Sequence, residues 1–162
     1  MTATVRAYVG LGANLGDAEA MLERALVDLS QLPQTQMVAR SGLYRSAPVD
    51  AIGPDFINAV CALDTALPAA ELLAHLHAIE ATCGRVRGAR HAPRTLDLDL
   101  LVYGDHFSDA DRLRLPHPRA HERAFVLVPW AEIAPDARIP GHGAVSGLMD
   151  GVAEQRIERL RP

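Results

Sequence analysis

The first apolar run, Val5–Leu11, is rich in β-favouring residues and breaks at Gly12, which predicts a strand. Between Asp17 and Leu32 the spacing becomes helical. Ala18, Met21, Leu22, Ala25, Leu29 and Leu32 share a stripe, and Pro33 closes it. Gln36–Tyr44 alternates loosely and predicts a second strand, Ser46–Asp55 is a polar loop with Pro and Gly, and Phe56–Leu63 predicts a third strand. Ala69–Cys83 carries Leu72, Leu73, Leu76 and Ile79 at helical spacing and stops at Gly84. An Arg-rich loop leads into Thr95–Tyr103, the most strand-like run of the chain. Phe125–Ile133 predicts a third helix, and Val152–Leu160 a last short helix in a final third rich in Pro and Gly. The order strand, helix, strand, strand, helix, strand predicts an α+β fold, a ferredoxin-like antiparallel sheet sandwiched by helices. With no repeat, low-complexity tract or linker, residues 1–162 read as a single domain.

Charge narrows the function. Lys+Arg number 16 against 20 Asp+Glu, a net charge of −4, which argues against a nucleic-acid or anionic-membrane binder. Every one of those cations is Arg, so chemistry that depends on a lysine, such as a Schiff base or a Walker A phosphate loop, is excluded. Cys61 and Cys83 have no CxxC spacing and suggest neither a disulfide framework nor a zinc ribbon. The N-terminus lacks the apolar core of a signal peptide, and no run approaches the ~20 apolar residues of a membrane span. The expected location is the cytoplasm.

The chemistry concentrates after residue 84. In Arg94-Thr95-Leu96-Asp97-Leu98-Asp99-Leu100, a strand projects Asp97 and Asp99 to one face and the leucines to the other. A solvated polar face would look the same. The flanking cations shift the reading: Arg85, Arg87, Arg90 and Arg94 precede the pair, and Arg112, Arg114, Arg119 and Arg123 follow it. Two carboxylates suit Mg²⁺, and planar guanidinium donors suit phosphate oxygens, so polyphosphate chemistry is favoured. The glycine run Gly10–Gly16 follows a strand and opens a helix, yet no acidic residue closes the second strand and no further βαβ unit follows. It therefore reads as tight geometry rather than a dinucleotide loop. His117 and His121 are four apart, but Pro118 and the lack of a third ligand speak against zinc; His117, between two prolines, reads as a phosphate donor on a rigid loop. His75 reads as structural.

Six motifs occur in one order: GLGANLGD at 10–17, LYRSAP at 43–48, FINA at 56–59, Ile79-Glu80 with GRVR at 84–87, PRTLDLD at 93–99 and LPHPRAHERAF at 115–125. Together, from Tyr8 to Pro135, they resemble the 6-hydroxymethyl-7,8-dihydropterin pyrophosphokinases of folate biosynthesis. The resemblance implies that a pyrophosphoryl group passes from ATP to the pterin hydroxymethyl group with release of AMP. Asp97 and Asp99 would ligate two Mg²⁺ ions, and Asp99 would help activate the hydroxyl that attacks the β-phosphorus. It implies catalytic roles for Arg85, Arg94 and His117 as well. The ATP site implied by the resemblance comprises Leu73, His77, Glu80, Arg85, Arg94, Leu100, Arg112, Arg114, His117 and Arg123. The implied pterin site comprises Phe56 and Phe125 about the flat ring, Asn58 at its edge, and the backbone of Ser46, Ala47 and Val49. Loops 46–55 and 84–93 would close over the substrates and exclude water. The second loop departs from the family pattern: it is one residue shorter, with His91-Ala92 where Trp-Gly is common, which touches the roles of Arg87 and Arg90. The expected partners are the two small-molecule substrates, with no nucleic acid and no membrane, and the expected state is a monomer. The competing classes are another Mg-dependent phosphoryl or nucleotidyl transferase and a ferredoxin-like binding module. The first differs in its product nucleotide, and the second would need a basic, aromatic sheet face that this chain lacks.

Overall fold

The computed structural model describes residues 3–14, 16–47, 54–84 and 96–160. Its elements are β1 (Val5–Ala13), α1 (Ala18–Ser30), β2 (Thr35–Arg40), β3 (Tyr44–Ser46), β4 (Phe56–Thr65), α2 (Ala69–Gly84), β5 (Asp97–Tyr103), β6 (Ser108–Ala110), β7 (Leu113–Leu115), α3 (Ala124–Ile133), β8 (Arg138–Ile139), β9 (Gly143–Ala144), α4 (Val145–Leu148) and β10 (Ile157–Arg159). The main sheet runs β10-β3-β4-β1-β5, with β2 also paired to β4, and every described pairing is antiparallel. The mixed α+β architecture matches the expectation from element order.

Each helix begins or bends for a local reason. Asp17 caps α1 by accepting the Ala20 N–H at 3.1 Å. α2 starts after Pro68, whose carbonyl takes the first N–H, that of Leu72. α3 is apolar almost all round and is accordingly sunk in the core, and Pro129 interrupts its hydrogen-bond ladder.

The alternation of β1, β4 and β5 divides the interior in two. Val9, Leu11, Ala59, Cys61, Leu63, Leu98 and Leu100 face α1 and α2. Tyr8, Val60, Ala62, Leu101 and Val102 face α3, whose Leu127 and Trp130 are fully buried. The sheet is thus covered on both faces, and both layers exclude water by burying aliphatic surface. Because α3 sits over the Tyr8–Val60–Val102 end, the opposite end of the same face stays open, and the candidate site occupies it.

Two expectations are corrected. The single strand over 36–44 is two strands, because Ser41 turns to the partner strand with its side chain. Its Oγ accepts the Val60 N–H at 3.0 Å while its own N–H donates to the Val60 carbonyl at 2.9 Å, leaving Gly42 and Leu43 to step across to β3. The tail Val152–Leu160 is not a helix. A 3₁₀ turn ends at Val152, and Ile157–Arg159 then pairs with the open edge of β3, which supplies hydrogen bonds that nine residues of isolated helix could not match. Glu132 at the end of α3 ties these pieces together. It accepts the Tyr44 hydroxyl at 2.6 Å and the Gly42 N–H at 3.1 Å, and lies 3.6 Å from the Arg159 guanidinium. The short β6–β7 and β8–β9 hairpins have no counterpart in the periodicity.

Trp130, the one tryptophan of the chain, packs against Tyr8 with ring centroids 5.1 Å apart, and its buried Nε1–H finds no acceptor among the described residues. Trp130→Ala should cost about 3–5 kcal/mol in urea unfolding through the cavity it leaves. Trp130→Phe should cost much less, because it keeps most of the ring contact and removes an unpaired donor. Equal losses for the two variants would contradict this account of the α3 core.

Candidate active site

The floor of the site is β1. On one side Gly12 lies opposite Asn58 of β4, and on the other opposite Asp97 of β5; two residues along, Gly10 lies between Val60 and Asp99. Cross-strand partners share a face, so Asn58, Asp97 and Asp99 rise from one surface whose middle strand carries no side chain. A Cβ on Gly12 would stand 3.3 Å from Asn58 Oδ1 and 3.9 Å from Phe56 Cδ1, and one on Gly10 would stand 3.3 Å from Leu101 Cδ2. The glycine run noticed in the sequence is therefore a flat floor rather than a phosphate loop.

Two clefts open from this floor and share both aspartates. The first, about 760 Å³ including its mouth, is lined by Phe56, Asn58, Ser46 and Ala47 on one side and by Phe125, Val126 and Arg123 from the start of α3 on the other. The Arg123 guanidinium lies 5.4 Å from the Phe125 ring centroid, a cation–π contact that holds both at the rim. The second, about 780 Å³, lies between α2 and the β6–β7 hairpin, with Leu73, His77 and Glu80 on one wall and Arg112, Arg114 and His117 on the other. Leu100 belongs to it as well. One cleft is mostly apolar with two aromatic rings, and the other is polar and carries both signs of charge, Arg112 and Arg114 standing among Glu80, Asp111 and the two shared aspartates. Asp97 and Asp99 stand where they meet.

His117 is held by its own loop. Its backbone N–H donates to the Leu101 carbonyl at 2.8 Å, and its Nδ1 accepts the Arg119 N–H at 3.2 Å. With Nδ1 an acceptor, the neutral ring carries its proton on Nε2. Burial lowers the His117 pKa; the charge of Asp99 opposes this, while Arg123 and Arg119 add to it. Glu80 accepts the Leu98 N–H at 2.9 Å, so the wall of the second cleft grips the outer edge of β5 between the two aspartates.

Ser46, Ala47, Phe56, Asn58 and Phe125 are thus gathered in one cleft. Leu73, His77, Glu80, Leu100, Arg112, Arg114 and His117 are gathered in the other. Arg123, expected at ATP, lines the aromatic cleft beside its junction with the polar one. Val49, Arg85 and Arg94, and Arg87 and Arg90 with the shortened loop, lie outside the described residues. Gly10, Gly12, Val126, Asp111 and Leu113 line the clefts without having been singled out as site residues. For the two glycines the signal was present, since a Gly inside a strand marks close approach from above. Asp111 and Leu113 belong to a hairpin that periodicity did not reveal.

As a donor set, two hard carboxylates over a floor without side chains fit Mg²⁺, which takes few protein ligands and fills its shell with water and phosphate oxygens. No group of three or more His, Cys, Asp or Glu with metal-holding geometry occurs among the described residues.

The family model described as 7,8-dihydro-6-hydroxymethylpterin-pyrophosphokinase matches residues 8–135. A 2-amino-4-hydroxy-6-hydroxymethyldihydropteridine pyrophosphokinase of Pseudomonas aeruginosa is 46% identical over 156 residues, covering 96% of this chain and 96% of that protein. Proteins of the same name are 47% identical in Methylorubrum extorquens, covering 94% and 99% of the two chains, and 40% identical in Haemophilus influenzae, covering 98% and 99%. Among solved structures, wild-type Plasmodium falciparum HPPK-DHPS with pteroate aligns at a TM-score of 0.73 and 11% identity over 96% of this chain and 48% of that one. The A437G/K540E form with pterin and p-hydroxybenzoate aligns at 0.74 and 12% identity, over 98% and 48%. This chain spans less than half of those solved chains, and at such identity they speak for the fold alone. On the match across residues 8–135 and the relatives that align along nearly their whole length, the chain belongs to the 7,8-dihydro-6-hydroxymethylpterin-pyrophosphokinase family.

Proposed function

We propose that this chain transfers a pyrophosphoryl group from ATP to the hydroxymethyl group of 6-hydroxymethyl-7,8-dihydropterin, a step of folate biosynthesis. The observation that carries the reading is the pair of clefts that share Asp97 and Asp99. A reaction that joins a flat heterocycle to part of a nucleotide needs two unlike sites meeting at one acidic junction. In the aromatic cleft, Phe56 and Phe125 take the pterin ring between them, and Asn58 meets its edge, with Ser46 and Ala47 alongside. In the polar cleft, Leu73, His77, Glu80 and Leu100 border the nucleoside, while Arg112, Arg114 and His117 hold phosphate oxygens; Arg123 reaches the junction.

The pterin hydroxyl oxygen attacks the β-phosphorus, the bond from that phosphorus to the α–β bridging oxygen breaks, AMP leaves, and the hydroxyl proton passes to Asp99. Asp97 and Asp99 would hold two Mg²⁺ ions, whose chemistry when bound is to neutralise the phosphate oxygens at the attacked centre. The chain's own residues supply alignment, which converts a bimolecular encounter into an oriented one, and donors placed in advance where charge collects. No helix among the described residues is long and apolar enough to cross a membrane, and we place the protein in the cytoplasm as a monomer.

Incubation with ATP, Mg²⁺ and the pterin, with nucleotides resolved by chromatography, should give AMP only when all three are present. ADP or pyrophosphate instead would assign another phosphoryl or nucleotidyl transferase. Asp97→Ala should lower kcat by about 10²–10³-fold or more with an unchanged circular dichroism spectrum. Turnover retained in that folded variant would overturn the metal assignment. Phe125→Ala should raise KM for the pterin roughly threefold to tenfold and leave KM for ATP unmoved, because it removes one stacking face. A matching rise in KM for ATP would move Phe125 out of the ring site.

A further inference from the structure

Asn58 does not face the aromatic cleft freely. It is 2% exposed and Ser46 5%, and the Asn58 Nδ2 lies 2.7 Å from the Ser46 Oγ. A hydroxyl both donates and accepts, so Ser46 alone would hold either end of the amide. The Phe56 carbonyl, 3.5 Å from the same nitrogen, can only accept, and it selects the orientation in which NH₂ points toward β3. The opposite end, Oδ1, is then the atom that stands over Gly12, 3.3 Å from where a Cβ would be. Gly12, Ser46, Phe56 and Asn58 all line the cleft, and all four belong to the cross-strand rows that fix their common face.

We infer that Ser46 and Gly12 are specificity-determining positioning residues: the Ser46 hydroxyl holds the Asn58 amide in place at 2.7 Å in the orientation that the Phe56 carbonyl selects, with its oxygen toward the ring, Gly12 leaves room for that oxygen, and the cleft thereby selects a lactam-type edge over a 4-amino edge. This rests on the pyrophosphokinase reading. An oriented carbonyl oxygen accepts hydrogen bonds and cannot donate them. A 2-amino-4-oxo ring offers it a ring N–H and an amino group. A 2,4-diamino ring has a bare ring nitrogen at the same place, so the ring N–H bond to the amide oxygen is lost and two lone pairs face each other, with only a flanking amino group left to donate. The cleft discriminates because the amide has already been denied its other orientation, and the unpaired group supplies the rejection.

The test compares two oxidised rings that differ only at position 4, 6-hydroxymethylpterin and 2,4-diamino-6-hydroxymethylpteridine. Both are titrated calorimetrically in the presence of Mg²⁺ and a non-hydrolysable ATP analogue. The wild type should prefer the 4-oxo ring. Ser46→Ala should weaken the 4-oxo ring roughly threefold to tenfold, the value of one hydrogen bond, without weakening the 4-amino ring, because the amide is then held only by the Phe56 carbonyl at 3.5 Å and turns more readily. Ser46→Thr, which keeps the hydroxyl, should restore the preference. In turnover, Ser46→Ala should raise KM for the dihydropterin with KM for ATP unmoved. Gly12→Ala, by pushing on Oδ1, should weaken the 4-oxo ring as well. Equal weakening of both rings in Ser46→Ala, or an unchanged ratio, would overturn the proposal while leaving AMP formation by the wild type as evidence for the function. A wild type that binds neither ring and forms no AMP would overturn both.

Discussion

The site depends on one constraint, the register of β1 between β4 and β5. With Gly12 opposite both Asn58 and Asp97, and Gly10 opposite Asp99, the Asn58 amide and the acidic pair are fixed side by side across a strand that intrudes no side chain. A slip of β1 by one residue would turn Tyr8 toward α1 and α2, bring Val9 and Leu11 to the other face, and set side chains where the two glycines now leave room. Both apolar layers oppose that slip, so the energy that specifies the site is the ordinary burial of leucines and valines on the far side of the sheet. The arrangement of Asn58, Asp97 and Asp99 is inexpensive to hold because the core already holds it.

The two faces of the sheet divide the labour. α1 and α2 close one face completely, while α3 closes only part of the other. Its first turn then becomes the rim of the open part, presenting Phe125 and Val126 with Arg123 just before them. Glu132 at its far end fastens β3 and the tail strand, so α3 connects the rim of the aromatic cleft to the edge strands behind it. The loop carrying His117 is anchored to β5 through the Leu101 carbonyl, which sets the polar cleft against the same strand that bears the aspartates. Each substrate cleft therefore has a wall tied to β5 or β4, and relative motion of the two clefts is limited by the sheet itself.

Polar groups inside the aromatic cleft act through what they are denied. Asn58 is buried and paired on one side, and the chemistry left to it is that of a single oriented acceptor. His117 is comparable: its Nδ1 is committed to a backbone N–H, so what it offers is one donor from Nε2. Both side chains are ambivalent in isolation, and in both a neighbouring backbone or hydroxyl group removes the choice.

The amino-acid sequence by itself determined the main helices and strands, because their apolar spacing has only one face to bury, and it determined the Asp97–Asp99 pair, because alternation along a strand places both carboxylates together. It also carried the family, since six motifs in one order leave little room for another. It did not determine the break at Ser41–Leu43 or the strand Ile157–Arg159. Those rest on hydrogen bonds to Val60 and to the β3 edge, partners more than ten residues away that no local pattern encodes. Nor did residue type and spacing tell whether Phe56 and Phe125 were core or cleft, which only the family resemblance implied, or what Gly10 and Gly12 were for. Only the tertiary structure decided these, because a residue's role in a site is set by what stands opposite it across the sheet, and pairing partners are chosen by the packing of the whole chain.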